Sequence, residues 1–125
     1  MKMAFIAGPF YGDGDSAVIS KNIEVAEQVA IELANRRVEF FCPHTHTGSI
    51  AKKTLANEDF FRQLCRSILI RVADCLVLLP GWEESYGTQR EIKLANTLGI
   101  PIFYLRTVDD AEILDEIAEF AHSAE

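Results

Sequence analysis

Four short segments that read as strands, at residues 3–7, 38–42, 75–79 and 102–105, recur along this chain with longer stretches of helical period between them. Val18, Ile19, Ile23, Val25, Ala26, Val29, Ala30 and Leu33 mark the first such stretch, and Phe60, Phe61, Leu64, Cys65, Ile68, Leu69 and Val72 the second. Ile92, Leu94, Ala95 and Leu98 form the third, stopped by Gly99, and Ile113, Leu114, Ile117 and Phe120 a last helix from Asp109. Strands that alternate with helices imply a parallel sheet with right-handed crossovers. The expected fold is therefore α/β, a small doubly wound, flavodoxin- or Rossmann-like parallel sheet of four to five strands with helices on both faces. With 125 residues, 49% of them hydrophobic, one domain spanning 1–125 is expected.

In such a sheet ligands bind beyond the carboxyl ends of the strands. The most informative joint is there: residues 78–91 link the third strand to the third helix and contain Pro80, Gly81, Trp82, Glu83, Glu84, Ser85, Tyr86, Gly87, Thr88 and Glu91. Glu91 is read as lying just inside the helix, a candidate nucleophile or general base. Ser85, Gly87 and Thr88 are residue types that let backbone and hydroxyl groups approach a phosphate or sugar at a helix N-terminus. The competing structural reading makes Thr88 the helix cap and Glu91 its capping-box partner. If the first and third strands flank the switch point, the loop at residues 8–15, with Gly8, Pro9, Phe10 and Tyr11, lies beside this joint. The segment 44–48, read as a loop carrying His44 and His46, lies at the same end.

A net charge of -7 without a basic cluster argues against a nucleic-acid polymer as partner and leaves small ligands open. No apolar run reaches membrane-spanning length, and the first residues hold too short an apolar stretch for a signal peptide, so a cytoplasmic protein with no membrane partner is expected. Cys42, Cys65 and Cys75 are odd in number and read as reduced core thiols. His44-x-His46 has no further ligand at metal spacing, so no metal is expected and a loop contact with base or phosphate is preferred. Phe10, Tyr11 and Trp82 are candidates for stacking on a base, with Trp82 alternatively at an interface. The acids of the last helix, Asp109, Asp110, Glu112, Asp115, Glu116 and Glu119, read as one solvated face.

Residues Ile6-Ala7-Gly8-Pro9-Phe10, Ala73-Asp74 and Ser85-x-Gly87-x-x-x-Glu91 with Ala95 one turn on resemble the nucleoside 2-deoxyribosyltransferase superfamily. That superfamily also holds 2'-deoxynucleoside 5'-phosphate N-hydrolases and many small members of unassigned activity, which the Leu79 to Ser85 form resembles most. The resemblance implies that Glu91 attacks the anomeric carbon and releases the base, leaving a glycosyl ester for water or a second base to resolve, without any cofactor. It implies a nucleoside or nucleotide as small-molecule partner, a 5'-phosphate held by Ser85, and a homo-oligomer. Gly8, Pro9, Phe10, Tyr11, His44, Gly81, Trp82, Ser85, Gly87 and Thr88 are the expected substrate-binding residues. Two positions depart from the family pattern: Arg66 stands where the acid-base aspartate is expected, and Phe5 where a tyrosine orients the glutamate. Asp59, Glu83 or Glu84 are possible replacement acids, and Tyr11 or Tyr86 possible replacement hydroxyls. A binding module that kept the pocket and lost turnover is the alternative. Phosphoribohydrolases acting on cytokinin monophosphates share the G-T-x-x-E form, but their longer P-G-G run is absent here.

Overall fold

Strands β1 (Ala4–Ala7), β2 (Phe40–Phe41), β3 (Cys75–Leu78) and β4 (Ile102–Tyr104) pair in the order β2-β1-β3-β4, every pair parallel. The computed structural model describes residues 1–12, 14–51 and 53–123; Asp13, within the glycine-rich loop after β1, lies outside them. Among the described residues, six α-helices connect or follow the strands: α1 (Ser16–Asn35), α2 (Pro43–His46), α3 (Gly48–Ala51), α4 (Glu58–Val72), α5 (Tyr86–Leu98) and α6 (Ala111–His122). The fold is the expected Rossmann-like one, with four strands.

The two central strands are wholly buried, so alternation decides only which helical layer each side chain meets. Ala4, Ile6, Cys75, Val77 and Leu79 point to one face and pack with Ala26, Val29 and Leu33 of α1 and Leu114, Ile117 and Ala121 of α6. Phe5, Ala7, Leu76 and Leu78 point to the other and meet Leu69 of α4 and Ala95 of α5. Each fully buried Leu or Ile contributes roughly 1.5–3 kcal/mol, so the central strands anchor both layers.

The second strand is shorter than its apolar run because neighbouring helices take its ends. At its start, Arg37 adopts a left-handed conformation (φ 57°), Arg37 N–H donates to Ala34 O at 2.9 Å, and Val38 N–H closes back on Leu33 O at 3.0 Å. At its end, the Cys42 carbonyl accepts from Thr45 and His46 N–H as Pro43 opens α2. The segment 44–48 is therefore not a loop. Its residues lie in α2, the linking Thr47 and the start of α3. Pro43 fits there because the first helical position needs no N–H donor.

Asp74 has a structural role at the opposite end of the sheet. Its carboxylate accepts from Met3 N–H at 2.8 Å while its own N–H donates to Met3 O at 2.8 Å, which starts the β1–β3 pairing. Of the acids near α6, Asp109, Glu112, Asp115, Glu116 and Glu119 are exposed as expected, and Asp110 is the exception. Asp110, rather than Asp109, caps the helix, and it is buried. It accepts from Arg106 Nε at 2.7 Å, Nη2 at 2.8 Å and backbone N–H at 3.0 Å. The three cysteines are free, with Cys42 and Cys75 buried and Cys65 partly so. No helix among the described residues is long and apolar enough to cross a membrane.

Candidate active site

The chain turns from β1 to one side of the sheet and from β3 to the other, which leaves a crevice between their carboxyl ends. A cavity of about 450 Å³ lies there, within the size range of small-ligand sites. Its floor is the end of β1, Ile6 to Gly8, with Glu91 and Leu94 of α5. Gly8 is required by close packing: a Cβ on it would lie 2.7 Å from Leu79 Cβ. The ladder continues past the strands at this point, with Leu79 N–H donating to Ala7 O at 2.9 Å.

Pro9, Phe10, Tyr11 and Gly12 form one wall. Two side chains from other elements pin this segment by its carbonyls. His44 Nε2–H donates to Pro9 O at 2.8 Å, and Asn22 Nδ2–H donates to Phe10 O at 2.9 Å. The Phe10 ring packs edge-on against both His44, at 5.3 Å, and Tyr11, at 4.8 Å. His44 is 4% exposed, its Nδ1 is buried without a partner among the described residues, and burial holds its pKa below the ordinary imidazole value. It is therefore a neutral imidazole at pH 7. Burial and Glu58 push the Tyr11 phenol up, with Arg62 opposing, so it remains an O–H donor. His46 is directed elsewhere: it stacks on Phe41 at 4.7 Å, and its Nδ1 lies 2.8 Å from Cys42 O. The two histidines thus serve separate contacts, and the described residues contain no group of three His, Cys, Asp or Glu able to hold a metal ion.

The facing wall begins one turn earlier than the sequence suggests. Ser85, not Thr88, caps α5, because its Oγ accepts from Thr88 N–H at 3.2 Å and from Thr88 Oγ1–H at 2.8 Å. Thr88 is buried inside the first turn, and Glu91 lies in the second. With both Thr88 groups donating to it, Ser85 has its own O–H left to offer a ligand. Gly87 lines the cavity with open space where a Cβ would stand, so a ligand can approach the helix backbone there.

Glu91 is the most perturbed group in the site. Burial pushes its carboxyl up to about 8, and no neighbouring cation counters the shift. Among the described residues it has no hydrogen bond or ion pair, although it faces the cavity. Cys65 stands close by on α4, where burial and Glu91 push its thiol up to about 12, so it is not a reactive thiolate at neutral pH.

The cavity gathers Gly8, Pro9, Phe10, Tyr11, His44, Ser85, Gly87, Thr88 and Glu91 from the expected set, and leaves out Gly81 and Trp82. Gly81 is in the left-handed region (φ 88°), where it starts the 3-10 turn Trp82–Glu84. That turn swings Trp82 onto the core between α4, α5 and the sheet, with its ring 5.2 Å from Tyr104. Tyr86 is 74% exposed and outside the cavity, and Phe5 is fully buried, so Tyr11 is the tyrosine that faces the site. Of the three replacement acids, Asp59 and Glu84 line the cavity and Glu83 does not.

Of α4, sequence reasoning reached only Asp59 and Arg66. Glu58, Phe61, Arg62 and Gln63 line the cavity together with Arg66, as does Arg90 of α5. Arg62 is bound to Glu58 and Asp59, whereas Arg66 makes no ion pair among the described residues. The spacing of 58, 62 and 66 marked one polar helix face, but such a face ordinarily means solvent. No curated protein matches this chain. The model of the family described as Domain of unknown function (DUF4406) matches residues 2–104, and the chain belongs to that family.

Proposed function

We propose that this protein cleaves or transfers the N-glycosidic bond of a nucleoside or nucleoside 5'-monophosphate, with Glu91 as nucleophile. The observation that carries the reading is Glu91 itself: a partly buried carboxylate without a hydrogen bond or ion pair among the described residues, lining a ligand-sized cavity at the switch point of the sheet. Desolvation costs stability and is not offset within the fold, which is the pattern of a group kept for chemistry. An oxocarbenium-like transition state places positive charge at the anomeric carbon, and an adjacent anionic carboxylate stabilises it and captures it. The residues around Glu91 support the rest: Ser85 and Gly87 at the start of α5 suit a phosphate, and Phe10 and Tyr11 suit a planar base. A retaining route needs a second carboxyl, and Glu84 is the cavity acid without an ion pair among the described residues. The resemblance to nucleoside 2-deoxyribosyltransferases rests on the same residues. Because Glu91 is mostly protonated at pH 7 in the free protein, activity should rise with pH towards its pKa.

Ribo- and deoxyribonucleosides and their 5'-monophosphates, incubated with the protein with and without an acceptor base, test this directly. Release or exchange of base that Glu91→Gln abolishes is the expected result. The same background release from wild type and Glu91→Gln across the panel would overturn it.

The second reading is a nucleotide-binding module without turnover. The observation favouring it is that Phe5 is buried and hydroxyl-free and Arg66 occupies the cavity wall where the resemblance expects an acid. Saturable binding of a monophosphate without any base release would select it.

A further inference from the structure

Arg62, Arg66 and Arg90, three of the chain's seven arginines, line this one cavity in a protein of net charge -7, and no lysine among the described residues does. Arg62 is matched by Glu58 and Asp59. Arg66 is not matched: its neighbours three and four positions away on α4 are Arg62, Gln63, Leu69 and Ile70, which offer no carboxylate. A second guanidinium one turn from Arg62 is a like-charge pair that works against the helix. Nor is Arg66 the partner of Glu91, whose raised pKa is set by burial alone. Glu84, across the cavity on the 3-10 turn, makes no ion pair with it within 4 Å among the described residues. The planar fork of arginine, unlike an ammonium, is matched to a two-oxygen anion.

From this we infer that Arg66 reads a second oxyanion on the ligand, beyond the phosphate assigned above to the start of α5. The cavity then takes a nucleotide with two separate anionic groups, the second being either a further phosphate of the chain or a carboxylate on the base. This rests on the nucleotide reading of the cavity but not on Glu91 acting as a nucleophile.

Calorimetric titration of the full chain would use nucleosides of the common bases, their 5'-mono- and diphosphates, and a 5'-monophosphate whose pyrimidine bears a carboxylate. A ligand that carries the second anionic group should bind about tenfold or more tightly than the matching monophosphate. Arg66→Gln should remove that increment and leave monophosphate affinity within about twofold, and Arg66→Lys should recover part of it. Gain from the diphosphate would assign the oxyanion to the phosphate chain, and gain from the carboxylated pyrimidine to the base. Equal affinity for ligands with one and with two anionic groups would overturn the inference. So would an Arg66→Gln protein, folded by circular dichroism, that loses affinity for every ligand alike. Base release plays no part in these readouts, so failure of the glycosidase reading alone leaves a different result from failure of this one.

Discussion

Glu91 and Asp110 are both carboxylates set near helix starts on the carboxyl side of a parallel sheet, yet their surroundings push them in opposite directions. Asp110 receives three donors from Arg106 and one from Ile113 N–H at 3.4 Å, and these hold its carboxyl well below the usual range. Glu91 receives none among the described residues, and burial raises it to about 8. The first arrangement is what a fold does with an acid it needs for stability: it surrounds the charged form with donors. The second leaves the charged form unsupported until something enters the cavity. Of these two carboxylates, the one without donors is therefore the better guide to a functional site.

The largest effect that separates the two concerns chemistry. Glu91→Gln should lower base release by about 10²-fold or more, while Asp110→Asn should leave it within a few-fold once the protein is folded; steady-state assays of both variants test this. If Asp110→Asn proved as damaging as Glu91→Gln in a folded protein, the contrast would collapse.

The pH profiles should diverge next. Glu91 has a folded pKa of about 8 against an ordinary 4.5, so the folded state holds its proton more tightly. Its stabilising contribution is complete below about 4.5 and is lost as pH rises through about 8. Denaturant melts of Glu91→Gln should show a smaller decline across that window, so the variant gains stability relative to wild type at pH 8 or above. Asp110 has the opposite sign. Its depressed pKa supplies stability above the ordinary carboxylate range, and that stability is lost on acidification below it. Asp110→Asn should thus be less stable than wild type at neutral pH and approach it in acid. The kcat/KM of the wild type should rise with pH and level off above about 8, and a flat profile would remove Glu91 as the titrating group.

Smaller effects test how far the cavity can be separated from the scaffold. Gly8→Ala places a methyl group 2.7 Å from Leu79 Cβ and should cost about 1–3 kcal/mol in denaturant melts, with loss of ligand affinity because the floor must shift. Arg37→Gly, at the left-handed position after α1, should be neutral or stabilise by up to about 1 kcal/mol and leave activity unchanged. A change in activity there would mean that the far end of β2 communicates with the site.

Much of this architecture is legible in the chain. The apolar runs at 75–79 and 3–7 give the central strands because a fully apolar segment of that length has to be buried on both faces, wherever the rest of the chain goes. Gly99 ends α5 as expected, in the left-handed region at φ 74°, because that requirement is local. Less legible were boundaries at which two elements compete for the same backbone groups. Val38 and Cys42 are apolar enough for a strand, but their hydrogen bonds go to the ends of α1 and α2. Thr88 and Glu91 have capping-box spacing, yet Ser85 takes the cap, and a three-residue shift moves Glu91 from the helix entrance to the cavity floor.

By itself, then, the sequence determined the layers, the parallel sheet and the presence of a glutamate at the carboxyl side of β3, since periodicity and local backbone chemistry act over a few residues. Only the tertiary structure decided that Glu58, Phe61, Arg62 and Gln63 of α4 join the cavity lining, that Trp82 belongs to the core, and that Glu91 and Asp110, alike as letters, differ as acids. The physical reason is range. Desolvation and charge pairing depend on which distant groups are brought within a few ångströms, and for Glu91 the described residues bring burial without a hydrogen bond or ion pair.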